Sequence, residues 1–483
     1  MADEFVDVLI MGAGLSGIGA ACHLQRECPD RRFAILEARQ DIGGTWNLFR
    51  YPGIRSDSDM YTLGYDFKPW TGAKAIADGP SILAYLRETV AENDLRRHMR
   101  FGHRVVAAAW STADAQWAVT AQRDDGQTVQ LRCQFLLTCG GYYDYAEGHT
   151  PDFPGRERFT GPVIHPQHWP ADLDVSGQRV VVIGSGATAV TLVPELAKQA
   201  ASVSMLQRSP TYMASRPSVD TLADWLHAKL GPERAHALTR WKYVLWGQFI
   251  FRLAKRRPQR LKQRLIDLAT AQLPAGYDVA RHFTPRYKPW EQRLCLVPDG
   301  DLFKAIRAGT VQVVTDQIES FTEGGIRLAS GTELPADVIV TATGLKLNPM
   351  NGLTVQVDGR QLDAAQLVTY KGLMFGGVPN LASVFGYTNA SWTLKADLSC
   401  RFVCRLLNHL RQTGTRQCLP GPVDPAMKLR PWVDFSSGYF QRAIDRLPKQ
   451  GSAPPWTLSQ NYISDLMTLR HSSVEDGVLR FSS

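Results

Sequence analysis

Two glycine-rich turns, each following a short apolar segment, constrain the fold of this chain more than any other feature. Residues 5–11 (FVDVLIM) lead into a GxGxxG spacing that begins at Gly12, and residues 179–183 (RVVVI) lead into GSGATA at 184–189. A helix-like segment follows each turn. A strand, such a turn and a helix together form the nucleotide-binding unit of a doubly wound α/β fold, so the sequence predicts two Rossmann-like units.

The first turn has the residues that bind a pyrophosphate. Gly12 permits the tight turn, Gly14 lets the backbone approach the phosphates, and Gly17 lets the helix pack closely on the strand. The N-terminus of the helix then presents its N–H groups and its dipole to the negative charge. The next strand ends at Glu37, twenty residues after Gly17, where a carboxylate can accept hydrogen bonds from an adenosine ribose.

The segment after Glu37 favours a flavin in this first unit. Residues 41–46 (DIGGTW) are followed by residues 51–57 (YPGIRSD), and a Gly-Gly pair at this place allows the backbone to lie against a flat ring system. The alternative interpretation is a plain loop.

The second turn indicates a nicotinamide nucleotide. Ala189 stands in place of the third glycine, which the pattern tolerates. The following strand ends at Arg208, where an NAD site would have a carboxylate. A guanidinium attracts a 2′-phosphate and can bind it with two hydrogen bonds, so the site is predicted to select NADP. The alternative is that Arg208 is a solvated residue at the end of a strand.

Two further apolar strands that end in glycine indicate that the units are interleaved. Residues 133–141 (CQFLLTCGG) and 335–344 (PADVIVTATG) have this form. We therefore expect an FAD domain interrupted by an NADP domain. The predicted boundaries are 1–145 for the first FAD segment, 146–340 for the NADP domain with a helical insertion at about 211–287, and 341–483 for the return to the FAD domain and the C-terminal part.

The composition excludes several other classes of protein. The net charge of +8 suits an anionic cofactor, and the chain has no nucleic-acid-binding motif, so no nucleic-acid partner is expected. None of the eight cysteines forms a CxxC pair or a Cys/His cluster, so no metal site is expected. No cysteine lies between Cys28 and Cys133, which argues against a flavin disulfide reductase. The chain shows no leader and no long apolar run, so we expect a cytoplasmic protein with free thiols.

The segment at 159–170 (FTGPVIHPQHWP) carries a family resemblance. It matches every fixed position of the fingerprint of type I Baeyer–Villiger monooxygenases, and residues 44–57 resemble the second motif of that family. Longer stretches, such as RYPGIRSDSDMYTLGY, VVVIGSGATAVTLVPEL and PWEQRLCLVPDGDLF, resemble the ethionamide-activating FAD-containing monooxygenases within it. The fingerprint residues are Phe159, Gly161, His165, Trp169 and Pro170.

The resemblance implies an enzyme that uses FAD, NADPH and O2. It would insert oxygen beside a ketone carbonyl through a C4a-peroxyflavin, giving an ester or lactone, and would also oxidise thioethers. The resemblance places the catalytic cation at Arg293, with Asp57 as its carboxylate partner, and Gln292 replaces the lysine that cyclohexanone-type relatives have there. For His165 two roles stay open, a linker histidine or a general base.

The resemblance also assigns cofactor-binding residues. Those expected to bind FAD are Gly12, Gly14, Ser16, Gly17, Glu37, Gly44, Thr45, Trp46, Asn47, Leu48, Asp57 and Val105. Those expected to bind NADP are Arg55, Ser56, Asp57, Gly184, Ser185, Gly186, Ala187, Thr188, Ala189, Arg208 and Ser209.

The segment 241–265 has eight Lys or Arg and no Asp or Glu, with aromatic residues interspersed. It predicts an amphipathic helix broken at Pro258. We favour a helical subdomain with a solvated basic face, and the alternative is weak docking of the protein on an anionic membrane. Trp392 either lines a pocket or belongs to the core. Two rival functions are a flavin monooxygenase that oxidises only nitrogen or sulfur and a nucleotide-binding sensor without turnover.

Overall fold

The computed structural model describes residues 4–483, and the acidic N-terminal residues 1–3 lie outside the described part. The chain forms two mainly parallel sheets, each with helices packed against it, so the predicted α/β class with two Rossmann-like units is confirmed. The larger sheet belongs to the first glycine-rich turn and the smaller one to the second.

The larger sheet has nine strands. In spatial order, eight of them are Arg360–Gln361, Thr354–Val357, His103–Ser111, Gln116–Arg123, Thr128–Thr138, Glu4–Met11, Phe33–Leu36 and Met99–Arg100, and Leu381–Ser383 also pairs with Thr128–Thr138. The strand Glu4–Met11 pairs in parallel on both sides, and Val8, Leu9 and Ile10 are fully buried. A parallel strand covered on both faces is apolar at nearly every position, and each fully buried aliphatic side chain contributes about 1.5–3 kcal/mol.

The smaller sheet has five parallel strands. Their spatial order is Val311–Thr315, Ser202–Gln207, Arg179–Ile183, Val338–Thr341 and Val163–Ile164. The remaining strands form smaller sheets: Met213–Arg216 with Cys295–Pro298; Ile318–Thr322, Gly325–Leu328 and Glu333–Pro335; Tyr143–Gly148 with Leu345–Leu347; Thr369–Tyr370 with Met374–Phe375; Gln417–Pro420 with Leu479–Ser482; and Arg430–Pro431 with Lys449–Gln450.

Thirteen α-helices lie in the described residues. They are α1 Leu15–Glu27, α2 Thr45–Leu48, α3 Met60–Leu63, α4 Gly79–Glu92, α5 Ala187–Leu196, α6 Thr221–Leu230, α7 Pro232–Arg256, α8 Pro258–Thr270, α9 Val279–His282, α10 Asp301–Arg307, α11 Trp392–Thr413, α12 Gly438–Gln441 and α13 Tyr462–Asp465. The longest buried one, α11, packs against α1 and closes the core of the first unit, with Phe402, Leu406 and Leu407 fully buried. No helix of the described part is long and apolar enough to cross a membrane.

The chain passes between the two units twice, and the two passages pair with each other. Tyr143–Gly148 leads out of the first unit, Leu345–Leu347 leads back, and the two strands form an antiparallel ribbon. After the return, Thr354–Val357 and Leu381–Ser383 pair in parallel with strands of the larger sheet. The first unit is therefore built from two separate stretches of chain, with the second unit inserted between them.

The inserted segment corrects one sequence-based expectation. It was expected to be helical from about residue 211, but it begins with the strand Met213–Arg216, which pairs in parallel with Cys295–Pro298. The helices start only at Thr221, where Asp220 caps α6 by accepting a hydrogen bond from the N–H of Ala223. The pairing partner of the strand lies far along the chain, and so local sequence gives no sign of it.

A buried ion pair fixes the loop that precedes α11. Lys395 is fully buried, and its Nζ lies 2.9 Å from the carboxylate of Asp465. Burial lowers the pKa of Lys395, while the negative charge of Asp465 opposes that change. Tyr387 donates a second hydrogen bond of 2.6 Å to the same carboxylate. The pair thereby connects α11, α13 and the loop that contains Tyr387.

We predict that Asp465→Ala destabilises the protein markedly, because it leaves the ammonium of Lys395 buried without a counter-charge. The expected loss is about 3–5 kcal/mol, seen as a clear drop in the thermal unfolding midpoint. The double variant Lys395→Met/Asp465→Leu should recover most of that loss, since it removes both charges.

Glu147 provides the control, because its ion pair with Lys346 is at the surface, with side chains 63% and 40% exposed. Glu147→Ala should change stability by less than about 1 kcal/mol. If Asp465→Ala and Glu147→Ala unfold at the same temperature, the buried pair contributes no more to stability than the surface pair.

Candidate active site at the junction of two cavities

The first glycine-rich turn contains two kinds of glycine. Gly12 has a φ of +103°, a left-handed conformation that side chains rarely adopt. Gly14 has an ordinary extended backbone, with φ −78° and ψ −173°, and so its conformation does not require glycine. A Cβ on Gly14 would instead project toward Gly44 and the cavity that both residues line. The absence of a side chain there fits the close approach of a ligand.

The same division holds at the second turn. Gly184 has a φ of +138°, and a Cβ on it would come within 2.3 Å of the carbonyl oxygen of Ala342. Gly186 has a φ of −78°, and a Cβ there would meet no protein atom within 4 Å. Neither packing nor backbone conformation therefore requires glycine at 186. It leaves the N-terminus of the ten-residue helix α5 open, which is how such turns accommodate a pyrophosphate.

A cavity of about 300 Å³ extends from the first turn past the end of the strand Phe33–Leu36. Glu37 lines it and is almost fully buried. Its two carboxylate oxygens accept hydrogen bonds from the N–H groups of Ala13 (2.7 Å) and Arg39 (2.9 Å). Burial raises the pKa of Glu37, while these N–H groups favour the charged form. Leu48 and Val105 line the same cavity, so this end has the shape and polarity for an adenosine.

A second cavity, of about 270 Å³, continues from the first and forms the centre of the site. Several residues predicted to bind FAD or NADP line it: Gly14, Ser16, Gly44, Thr45, Trp46, Arg55, Ser56, Asp57, Ala187 and Thr188. Residues of both units therefore face one space. We call it the central cavity.

Asn47 is the predicted FAD-binding residue whose side chain is directed elsewhere. Its carbonyl oxygen accepts a 2.6 Å hydrogen bond from Arg39, and its amide nitrogen donates to Asp41 over 3.2 Å. These contacts brace the loop that carries Gly43 and Gly44. The geometry thus gives Asn47 a supporting place behind the cavity wall.

Three tyrosines that the sequence analysis did not single out form much of the cavity wall. Tyr142, Tyr143 and Tyr145 follow the strand Thr128–Thr138 and line the central cavity. Tyr142 also stacks on Trp392, with ring centroids 5.3 Å apart. Trp392 lines the cavity as well, and its indole N–H donates a 2.8 Å hydrogen bond to Ser16. The one available signal was the sequence GGYYDY, in which aromatic residues directly follow two glycines at the end of a strand.

Arg55 shows that the central cavity suits an anionic group. One nitrogen of its guanidinium forms an ion pair with Asp301 of α10. Its Nη2 is buried and has no hydrogen-bond partner among residues 4–483. An unpaired buried donor is costly, and a phosphate or a carbonyl oxygen of a bound nucleotide would satisfy it.

Arg208 and Ser209 lie beyond the strand Ser202–Gln207 and are exposed. Arg208 forms no ion pair within the described part of the chain. The backbone carbonyl of Ser209 accepts a 3.1 Å hydrogen bond from Ser185, which ties this end of the strand to the second glycine turn. Arg208 therefore lies close to the turn and is free to bind an anion.

Arg293 and Asp57 meet across the two units. A guanidinium nitrogen of Arg293 lies 3.5 Å from a carboxylate oxygen of Asp57, and Arg293 remains 40% exposed because it borders open space. Partial removal from water disfavours the charged form of Arg293, but the negative charge of Asp57 outweighs this effect and raises the pKa of Arg293. The guanidinium is therefore a cation at any physiological pH. Both residues line the central cavity and also a third cavity on its other side.

That third cavity has a volume of about 180 Å³. Helix α7 contributes Tyr243, Val244, Trp246 and Gln248 to its wall, and Trp290 also lines it. We call it the outer cavity. It has no glycine-rich turn, and its wall combines aromatic and aliphatic side chains with polar and charged ones, so it suits a small organic molecule that has both an apolar body and a polar group.

The fingerprint segment lies at the ribbon between the units. His165 Nε2 lies 3.0 Å from the carbonyl oxygen of Gly344, and His165 Nδ1 accepts a hydrogen bond from the N–H of Gln167. These partners place the proton on Nε2, and burial lowers the pKa of His165, which favours the neutral ring. The ring packs on Gly148, where a Cβ would come within 1.9 Å of it. His165 does not line the central cavity.

The other fingerprint residues have structural contacts. Phe159 is buried and packs edge-on against Phe321 at 6.4 Å, and Trp169 packs against the core of the second unit. A Cβ on Gly161 would come within 2.3 Å of the carbonyl oxygen of Asp337. Pro170 follows Trp169 and is half-buried. These contacts anchor the segment on the second unit, while His165 contacts the ribbon that connects the two units.

Comparisons with known proteins agree with this architecture. Residues 75–374 match the family described as flavin-binding monooxygenase-like, and residues 10–70 match an NAD(P)-binding Rossmann-like domain. The chain is 53% identical over 480 residues to the FAD-containing monooxygenase EthA of Mycobacterium tuberculosis, covering 99% of this chain and 98% of that protein.

Two solved structures show the same fold. An oxidised steroid monooxygenase bound to NADP has a TM-score of 0.73 and 27% identity, covering 86% of this chain and 88% of that one. An open crystal structure of cyclohexanone monooxygenase has a TM-score of 0.77 and 22% identity, covering 99% and 100% of the two chains. The resemblance predicted from the sequence motifs is therefore confirmed, and the chain belongs to the family of flavin-binding monooxygenases.

Proposed function

We propose that this flavoprotein monooxygenase converts ketones to esters or lactones, using FAD, NADPH and O2, and that it also oxidises thioethers. The overall reaction consumes one ketone, one O2, one NADPH and one proton, and yields the ester, water and NADP⁺. The single observation that carries this proposal is the position of Arg293 and Asp57, where the nucleotide-lined central cavity meets the outer cavity.

The residues that line the two glycine turns and their cavities fit both cofactors. Gly14, Gly44 and Glu37 would hold FAD along the two connected cavities, while Gly186 and Arg208 would hold the nicotinamide nucleotide. When bound and reduced by NADPH, the flavin supplies activated oxygen, and that chemistry is the cofactor's own. The protein has to bind, orient and shield the reactants.

Arg293 supplies the fixed positive charge that the reaction needs. Attack on a ketone moves negative charge onto the carbonyl oxygen, and a pre-organised cation beside that oxygen lowers the barrier. A planar guanidinium can also hold two oxygens at once, which an ammonium cannot do equally well. Asp57, which belongs to the first unit, orients this guanidinium by forming an ion pair with it across the boundary between the two units.

The aromatic wall of the central cavity excludes water. Tyr142 and Trp392 line the cavity and stack with ring centroids 5.3 Å apart, and the buried Phe385 contacts both rings, tilted against Tyr142 at 5.4 Å and edge-on to Trp392 at 5.3 Å. Burial raises the pKa of Tyr142 well above its usual range, so the ring stays neutral beside Arg293. A dry, rigid wall of this kind protects a reactive oxygen species from side reactions with water.

Of three rival functions, the flavin disulfide reductase and the sensor without turnover fit the structure less well. A flavin disulfide reductase needs a pair of cysteines beside the flavin, whereas Cys139 is the only cysteine among the residues that line the central cavity. A monooxygenase restricted to nitrogen or sulfur would share both glycine turns and remains the alternative for the reaction itself. A sensor without turnover would have no use for a cation placed between two cavities.

A ketone panel decides between the main proposal and the alternative. We expect that the holoenzyme with NADPH and O2 converts aliphatic, cyclic and aromatic ketones to products containing one more oxygen atom, identified as esters or lactones by mass spectrometry. A thioether serves as the positive control for oxygen transfer. Sulfoxide formation without ester from any ketone would establish the restricted monooxygenase instead.

The role of Arg293 gives a second prediction. Arg293→Ala should retain yellow FAD and still oxidise NADPH, but ester formation should fall on the order of 100- to 1000-fold because the charge on the carbonyl oxygen loses its partner. Arg293→Lys should recover only part of the rate. Arg286, an exposed arginine without an ion pair in residues 4–483, is the matched control, and Arg286→Ala should behave like the wild type. Ester formation by Arg293→Ala at the wild-type rate would remove Arg293 from the mechanism.

The role of Arg208 gives a third prediction. Arg208→Ala should raise the KM for NADPH about tenfold to a hundredfold, the amount expected for a lost charge-assisted contact, and leave the KM for NADH nearly unchanged. NADH is the internal control because it lacks the 2′-phosphate. Steady-state rates of ketone-stimulated NAD(P)H oxidation measure both values, and equal increases for the two nucleotides would show that Arg208 does not select the phosphate.

A further inference from the structure

The surface formed by α7 and α8 has an unusual composition for a solvent-exposed face. Five large apolar side chains on α7 are far more exposed than a core-facing helix requires: Leu238 52%, Trp241 42%, Leu245 53%, Trp246 56% and Phe249 56%. Monomeric proteins seldom expose apolar groups in such a contiguous set unless that surface binds something.

The exposed residues form a continuous stripe. Positions 238, 241, 245 and 249 follow the three- and four-residue spacing of one helix face, and Arg252 and Arg256 continue the same face toward the C-terminus of α7. The stripe is therefore apolar along its first part and cationic at its end. We call it the α7 stripe.

Helix α8 extends the cationic end. It begins at Pro258, directly after the break at Arg257, and its exposed Arg260 and Arg264 lie four residues apart on one face. Among residues 4–483, Arg252, Arg256, Arg257, Arg260 and Arg264 form no ion pair. No acidic residue occurs between positions 241 and 265, and the acidic residues of the two helices, Glu233 and Asp267, lie outside that segment and form no ion pair with these arginines in the described part of the chain.

These observations change the interpretation that the sequence favoured. A basic face that is simply solvated would place polar groups between the charges, whereas the α7 stripe places tryptophan, leucine and phenylalanine in water. Trp, Phe and Leu beside Lys and Arg are typical of helices that lie in the interface of an anionic bilayer. The aromatic rings enter the headgroup region, and the guanidinium groups contact lipid phosphates.

We propose that the α7 stripe, together with the exposed arginines of α8, docks the protein on membranes that contain anionic lipids. A second copy of this chain is a poorer occupant, because two stripes placed face to face would bury their unneutralised arginines either against each other or against the apolar part of the partner. The docking is peripheral, since none of the described helices can cross a bilayer.

The inner side of the same helix adds a reason for this position. Tyr243, Val244 and Gln248 line the outer cavity while Leu245 and Phe249 face outward. Docking by the stripe therefore places the helix that forms one wall of the outer cavity against the lipid surface. An apolar substrate dissolved in the membrane would then lie next to the cavity that borders Arg293.

The test is sedimentation of the FAD-loaded protein with vesicles at low ionic strength. We expect the wild type to bind vesicles of phosphatidylcholine with phosphatidylglycerol, to bind vesicles of phosphatidylcholine alone at least tenfold more weakly, and to be released by salt. Leu245→Ser/Phe249→Ser and Arg252→Glu/Arg256→Glu should each lower the partition coefficient at least tenfold.

Matched controls come from exposed residues elsewhere on the protein. Leu429 and Met467 are 42% and 58% exposed, so Leu429→Ser/Met467→Ser repeats the apolar change away from the stripe. Lys428→Glu/Arg430→Glu repeats the change in charge at two exposed residues. Both control variants should bind anionic vesicles like the wild type.

Two outcomes would overturn the proposal. One is a wild-type protein that stays in the supernatant with anionic vesicles. The other is a wild-type dimer that the Leu245→Ser/Phe249→Ser variant converts to monomers without any vesicle binding, which would identify the stripe as an interface between copies.

Oxidation of a water-soluble ketone in vesicle-free buffer is measured for every variant in parallel. The stripe variants should retain the wild-type rate, because Leu245, Phe249, Arg252 and Arg256 do not line either cavity of the site. The two measurements separate the two proposals: a wild type that forms ester but does not bind anionic vesicles overturns the docking alone, whereas a wild type that binds the vesicles but forms no ester overturns only the proposed function.

Discussion

The site depends on the pairing of the two strands that connect the units. Because Tyr143–Gly148 and Leu345–Leu347 form one ribbon, the second unit is held against the first by backbone hydrogen bonds rather than by a single linker. His165 strengthens this connection by packing on Gly148 and bonding to the carbonyl oxygen of Gly344. The ribbon thereby keeps the loop that carries Asp57 facing the segment that carries Arg293.

In each glycine-rich turn, a few glycine positions are enough to identify a nucleotide-binding site. One glycine in each turn is required by backbone conformation, and another is required only if a ligand approaches. Gly186 is the clearer case, because no protein atom lies within 4 Å of where its Cβ would be. Such a position explains why a dinucleotide turn can be identified from sequence: its chemistry is local, and each residue has one evident reason to be there.

Features determined by distant parts of the chain could not be predicted in this way. The aromatic wall depends on Tyr142 meeting Trp392, which is 250 residues away. The strand Met213–Arg216 exists because it pairs with Cys295–Pro298, and local sequence contains no trace of that partner. The motif resemblance placed Arg293 and Asp57, but only the fold shows that they stand between two cavities. Local patterns thus define the nucleotide turns, whereas the shape of the substrate space is a property of tertiary packing.

Helix α7 has two differently used faces. Its inward residues shape the outer cavity and its outward residues shape the surface, and Trp246 belongs to both, being 56% exposed and part of the cavity wall. Replacing Leu245 or Gln248 alters one property at a time, whereas replacing Trp246 alters both at once. When the substrate range is altered by mutagenesis, a substitution at Trp246 is consequently expected to change selectivity and surface properties such as solubility at the same time.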